Sequence, residues 1–353
     1  MNLSNALPLA LGLVIFSFSI TSLLIIPFIN LLYKLKLTRQ KEAPKKGIIP
    51  LFDKLHDIKA GTPIGGGILL IVIVSLIFIL IFPFASHMGV LIRSAFHFQT
   101  EIVIILLTFI GFGILGLMDD LVKIFGKGKP GQKPLGLSFG LTRKQKFLLQ
   151  FVLASLISYL IYNKLGIQFI HIPLYDKIIN LKFLYIPFAT FIIVSFTNAY
   201  NITDGLDGLA TGLLMIFLIA FIVIAANVLD TPLSIFIAIW LGAIIAFLYF
   251  NVWPARIFLG DAGALSFGAT IAVIGLLTGS LFALLVIGAI FILELISSAV
   301  QIFGWKVLKR PILPLAPIHN SFLAAGWEEP KIVTRAWLAG IMLAIFGLWL
   351  ATI

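Results

Sequence analysis

Residues 209–229 read LATGLLMIFLIAFIVIAANVL, 21 positions without a single charged side chain. At about 1.5 Å of helical rise per residue, a run of that length crosses a bilayer core of about 30 Å. It is apolar on every face, which fits a helix surrounded by protein or lipid and not one with a face in water. Nine further runs of this kind flank it, at 7–33, 64–84, 101–118, 147–162, 181–197, 232–250, 264–279, 281–303 and 336–353. The chain therefore reads as an all-α polytopic membrane protein with about ten transmembrane helices, in one integral-membrane domain spanning 1–353. Only Gly279-Ser280 separates the eighth run from the ninth, so these two are expected to form a tight hairpin. The first run is too long for a signal peptide and has neither a preceding basic segment nor a small-residue cleavage site, so it is read as a span.

Composition agrees. Of 353 residues, 61% are hydrophobic and 11% charged, whereas a soluble domain carries about 25% charged residues. That leaves too little polar material for a water-facing surface. Cysteine is absent, which removes thiol chemistry and disulfide scaffolds, and 32 phenylalanines exclude disorder. The formal charge of +11 would suggest nucleic acid in a soluble chain, but in a membrane chain its placement matters more than its sum. The connections 34–63, 119–146, 198–208, 251–263 and 304–335 hold 8, 7, 0, 1 and 5 Lys/Arg, 21 of the 25 in the chain. Arg93, Lys164, Lys177 and Lys182 fall on the other side. The positive-inside rule then puts these five connections in the cytoplasm and both termini outside. Most of the lysines are read as topology signals and lipid anchors.

With 14 acidic residues in the whole chain, their positions are informative. Five sit in apolar contexts at span junctions, delivered by three separate segments. These are Asp119-Asp120-Leu121-Val122-Lys123 after the third span, Asn198 to Gly208 before the sixth (with Asn201, Asp204 and Asp207), and Gly260-Asp261-Ala262-Gly263 before the eighth. A single Asp there is commonly a helix cap. A pair of acids ending a span instead faces the negative end of the helix dipole and calls for a cation. Carboxylates and amides without Cys suit a hard divalent ion, Mg²⁺ above all, which completes its shell with water and substrate phosphate. The expected active site lies at the cytoplasmic membrane face and takes a phosphorylated ligand.

Other features are weaker. The run Lys59-Ala60-Gly61-Thr62-Pro63-Ile64-Gly65-Gly66-Gly67 could present amides to a phosphate or a base, but lacks the ending of a P-loop. Gly111, Gly113 and Gly116 read as packing positions. Glu294, inside the ninth run, is either functional or paired with another helix. His319, a lone loop histidine, reads locally as solvated, and His87, His97 and His171 receive no role.

In this order, the three acidic segments, the Gly-Thr-Pro-x-x-Gly-Gly element at 61–67 and the Pro-Ile-His element at 317–319 resemble the polyprenyl-phosphate N-acetylhexosamine-1-phosphate transferases. The likeness runs from about residue 30 to the C-terminus and is strongest to the muramoyl-pentapeptide branch. The resemblance implies transfer of phospho-MurNAc-pentapeptide from its UDP conjugate to undecaprenyl phosphate in a bacterial inner membrane, releasing UMP and forming lipid I for peptidoglycan synthesis. It implies Mg²⁺, with Asp119 as base or nucleophile, Asp120 and Asp261 beside it as catalytic residues, and Asp261 and Asp204 as metal ligands. Lys59, Thr62, Lys123, Asn198, Asn201, Asp204, Asp207, Gln301 and His319 carry over as substrate-binding residues. The implied partners are the UDP-linked sugar, the lipid phosphate and the bilayer, with no nucleic acid, and a homodimer is left open. Three positions depart from the family pattern: Asn320 and Ser321 where histidines usually follow His319, and Ala264 where Ser is common. The competing readings are a GlcNAc-1-phosphate transferase on the same lipid and, from another class, a transporter. The transporter reading is disfavoured by acids clustered at one face and by the lack of an internal repeat.

Overall fold

The computed structural model describes residues 3–39, 59–85, 91–125 and 142–353. Basic residues expected in the connections at 40–58 and 126–141 lie outside the described residues. Ten helices among the described residues are long and apolar enough to cross a membrane. In chain order the helices are α1 (Leu3–Lys34), α2 (Gly66–Ile81), α3 (Phe98–Phe125), α4 (Arg143–Leu165), α5 (Tyr185–Thr203), α6 (Leu209–Asn227), α7 (Thr231–Asn251), α8 (Gly260–Leu277), α9 (Leu281–Ile287), α10 (Ala289–Phe303), α11 (Ile318–Ala324) and α12 (Glu329–Thr352).

Helix α8 is the axis of the bundle. Its apolar window is 89% buried, against 22% for α1. Gly263, Ala264, Gly268, Ala269, Ala272 and Gly275 make α8 thin enough for neighbours to approach closely. α2, α3, α5 and α9 all pack on it, while α7 lies between α1, α2 and α6. An aromatic cluster of Phe109, Phe236, Trp240 and Phe267, with centroids 5.1–5.8 Å apart, fills the space between α3, α7 and α8.

Three features differ from the sequence expectation. The ninth run is not one helix. It breaks at Gly288 into α9 and α10, and a Cβ at that glycine would lie 2.6 Å from the Phe196 ring. Secondly, α3 continues through Asp119 and Asp120 to Phe125, so the acid pair lies within a helix and not at its end. The dipole argument for a cation at that position therefore weakens. Thirdly, a two-stranded antiparallel hairpin, β1 (Phe169–Ile172) with β2 (Lys177–Asn180), follows α4 in register Phe169↔Asn180 to Ile172↔Lys177. The tight turn between α8 and α9 is present, with Gly279 at φ +67.

Chain direction alone brings one end of the bundle together. The C-terminal ends of α3, α5, α7 and α10 meet the N-terminal ends of α2, α4, α6, α8 and α12 there. Every acidic segment singled out in the sequence falls at this end.

Candidate active site

A close approach of two helices sets the geometry. A Cβ on Gly116 of α3 would lie 2.1 Å from the Asp261 carbonyl oxygen, so only glycine lets α3 lean against the start of α8. The acid pair one turn further along α3 is thereby carried to Asp261. Asp120 Oδ2 accepts the Ala262 amide at 3.0 Å, capping α8 from a neighbouring helix. Asp119 and Asp261 are joined by a residue the sequence reading missed. Lys146 Nζ donates to Asp119 Oδ2 at 2.9 Å and to Asp261 Oδ2 at 2.7 Å. Lys146 is aimed by a capping box at the start of α4. Thr142 Oγ1 accepts from the Gln145 amide at 3.3 Å, and Gln145 Oε1 accepts from the Thr142 amide at 3.0 Å. That Thr-x-x-Gln signature was the available signal. It fixes where α4 begins and so separates Lys146 from the solvated lysines of the same connection.

The opposite wall comes from α5. Asn201 Nδ2 donates to Asp261 Oδ1 at 3.0 Å, while one turn earlier Asn198 donates to Gln150 Oε1 on α4 at 2.8 Å. Asp204 follows at the C-cap of α5. Burial, then the negative field of Asp261, pushes Asp204 up to about 7, with Asp207 and Asp120 adding to it and Lys59 opposing it. A carboxylate in that condition gains its charge when a cation arrives.

A second, sealed group lies beside it. Lys59 Nζ is 2.7 Å from Asp207 Oδ1 and 2.5 Å from Glu329 Oε1, and all three are buried. Asp207 Oδ2 accepts from the Ala255 amide at 2.9 Å, and Glu329 Oε1 accepts the Asp207 amide. Asp207 thus makes no cap for α6, whose N-cap is Gly208 at φ +76. Glu329, at the Pro-marked start of α12, was also missed. Its Glu-Glu-Pro helix start is legible, but its partners lie 122 and 270 residues away in sequence.

The glycine run turns out to serve packing. Gly65 and Gly66 donate their amides to the Phe258 carbonyl and Gly67 to that of Leu259, so these amides are engaged with backbone. Thr62 is half-buried in the turn before α2. The side chain of Lys123 lies outside the described residues. Gln301 binds the 312–313 backbone through both ends of its amide, with bonds of 2.9–3.1 Å, and staples that loop to α10.

His319 is not solvated. It is 2% exposed and its Nδ1 lies 3.0 Å from Glu294 Oε2 on α10. A Cβ on Gly205 would lie 2.5 Å from His319 Nε2, so the histidine abuts the Asp204-Gly205 turn. The departures from the family pattern are absorbed locally. Ser321 bonds the Leu315 backbone, while Asn320 and Ala264 are buried.

Comparison with known proteins now has a site to explain. The glycosyl transferase family 4 model matches residues 102–279, the segment that supplies Asp119, Asp120, Lys146, Asn201, Asp204 and Asp261. A phospho-N-acetylmuramoyl-pentapeptide-transferase of Geobacillus sp. (strain WCH70) is 32% identical over 340 residues, 96% of each chain. The protein of that name from Clostridium perfringens (strain 13) is 36% identical over 91% of this chain and 92% of its own. That from Caldanaerobacter subterraneus subsp. tengcongensis is 35% identical over 83% and 85%. The chain belongs to the phospho-N-acetylmuramoyl-pentapeptide-transferase family. It is a multi-pass membrane transferase, and the transporter reading falls away.

The donor set can be tested for the divalent ion expected in this family. Among the described residues no three acidic or histidine side chains form a ready-made cage. Mg²⁺ does not need one, because it binds through one or two carboxylates and fills the remaining positions with water and phosphate. Asp119 Oδ2 and Asp261 Oδ2 already converge on one positive centre, the Lys146 ammonium. The residues fit the ion.

Proposed function

We propose that the protein transfers phospho-MurNAc-pentapeptide from UDP-MurNAc-pentapeptide to undecaprenyl phosphate, producing lipid I and UMP at the cytoplasmic face of a bacterial inner membrane. The observation that carries this reading is the convergence of Asp119, Asp261 and Lys146 from three helices at one end of the bundle. The excess of Lys/Arg in the connections at that end supports its cytoplasmic placement, and with it two outward termini. One substrate is soluble and the other keeps its phosphate at headgroup level, so a site at the mouth of the bundle serves both.

The reaction brings two anionic phosphates together. An oxygen of the lipid phosphate bonds to the phosphorus that carries the sugar, and the bond to the departing UMP breaks. Mg²⁺ held by Asp261 and Asp204, with Asp119 facing it from α3, would neutralise this charge when bound. Asp119 takes the proton from the lipid phosphate or attacks the diphosphate itself, and either route needs a carboxylate at that place, where Lys146 bonds it in the empty site. Asn201 holds Asp261 in place through its other oxygen. His319 presents Nε2 beside the Asp204-Gly205 turn, where the diphosphate would lie. The sealed Lys59–Asp207–Glu329 group fixes the floor against which the nucleotide packs. A homodimer is compatible with this reading.

Purified protein supplied with undecaprenyl phosphate tests the proposal. UMP should appear with UDP-MurNAc-pentapeptide, stop on chelation and return with Mg²⁺. Equal or faster release from UDP-GlcNAc would instead favour the GlcNAc-1-phosphate transferase.

A further inference from the structure

Lys146 occupies the place a divalent cation would take. Its ammonium lies 2.7 Å from Asp261 Oδ2 and 2.9 Å from Asp119 Oδ2, two oxygens brought in by different helices. Hard cations bind through such oxygens, and a second cation cannot sit where the ammonium already sits between them. Lys146 can also leave. It stands in the first turn of α4, its side chain is 18% exposed, and its flexible stem can swing toward the water at the mouth of the bundle. Asp261 remains held from its other oxygen by Asn201, at 3.0 Å, so the carboxylate keeps its aim when the lysine withdraws.

We propose that Lys146 is a resident counter-ion that competes with the divalent cation for Asp119 and Asp261 and, once displaced, pairs with a substrate phosphate. In the empty enzyme the lysine keeps two acids apart from each other's charge and correctly oriented. In the loaded enzyme the same positive charge lies one side-chain length away, beside the incoming anions. The two roles have opposite signs for metal affinity and for turnover, which distinguishes them from plain structural support. The inference rests on the reading in which this end of the bundle takes a divalent cation.

The test uses the full-length protein in detergent, without substrate, and Mn²⁺ as the probe, with free Mn²⁺ followed by electron paramagnetic resonance. Lys146→Gln should bind Mn²⁺ about tenfold more tightly than wild type, because a competing charge has gone. Lys146→Met, which keeps the apolar stem, provides a second neutral variant should the first fold poorly. Lys144→Gln removes an exposed charge from the same turn and should stay within about threefold of wild type, because screening weakens a solvated charge. At saturating Mg²⁺, turnover of Lys146→Gln should fall about 100-fold. Unchanged or weaker Mn²⁺ binding in a folded Lys146 variant overturns the proposal, as does tightening of the same size in Lys144→Gln. If wild type and all variants bind no Mn²⁺, the metal reading itself fails, and the proposal with it.

Discussion

Both ends of this bundle bury carboxylates, and they do so in opposite ways. At the end holding Asp119 and Asp261, lysines from distant parts of the chain reach the acids: Lys146 bridges those two, and Lys59 bridges Asp207 and Glu329. At the other end Glu101 is fully buried and accepts from Ser94 Oγ at 2.7 Å, while Asp230 caps α7 by accepting the Leu233 amide at 3.0 Å. No cationic side chain is bonded to either of those two acids among the described residues, and burial raises Asp230 above its ordinary value. An acid in a membrane protein is therefore diagnostic through its partners more than through its depth. Asp230 serves the fold by capping a helix, whereas Asp119 and Asp261 come from different helices to share one ammonium at the site proposed for the chemistry.

Substitution can break this contrast. Asp119→Asn or Asp261→Asn should lower turnover by about 10³-fold while the protein still inserts, whereas Asp230→Asn, which retains an N-cap, should stay within about twofold. Equal losses at the two ends, measured as UMP release, would erase the distinction. Lys59→Met strands Asp207 and Glu329 without their counter-ion and should cost about 3–5 kcal/mol, read from thermal unfolding in detergent. A near-neutral result would mean that water reaches the group. Gly116→Ala pushes α3 off the Asp261 carbonyl and should cost about 1–3 kcal/mol and lower turnover as well, since it moves the acid pair. Activity at the wild-type level would show that the acids do not depend on that close approach. The smallest effect expected is about 1 kcal/mol of stability for Asp230→Ala, with turnover retained. A loss of activity there would tie the far end to the chemistry.

What the sequence revealed and what it hid divide along physical lines. Uncharged runs long enough to span, Lys/Arg placement and the small residues of α8 are local properties, and the ten helices follow from them. The acidic segments were legible for the same reason, because apolar context made each Asp conspicuous. Long-range partners were not. Lys146 looked like one of seven basic residues in its connection until α4 gave it a starting point. Glu294 and His319 lie 25 residues apart and form a buried pair only because α10 and α11 fold back on each other. The neighbour that leaves no room for a side chain at Gly288, where α9 gives way to α10, is the Phe196 ring of α5, far away in the chain. The continuation of α3 past Asp120 was hidden because span length is judged by hydropathy, which ends where the charges begin.

Counting the bound metal tests the central claim most directly. A Mn²⁺ titration of wild type should give one site per chain, and Asp261→Asn, compared at equal thermal stability, should lose it. Identical stoichiometry and affinity in the two proteins would contradict a cation held between α3, α5 and α8.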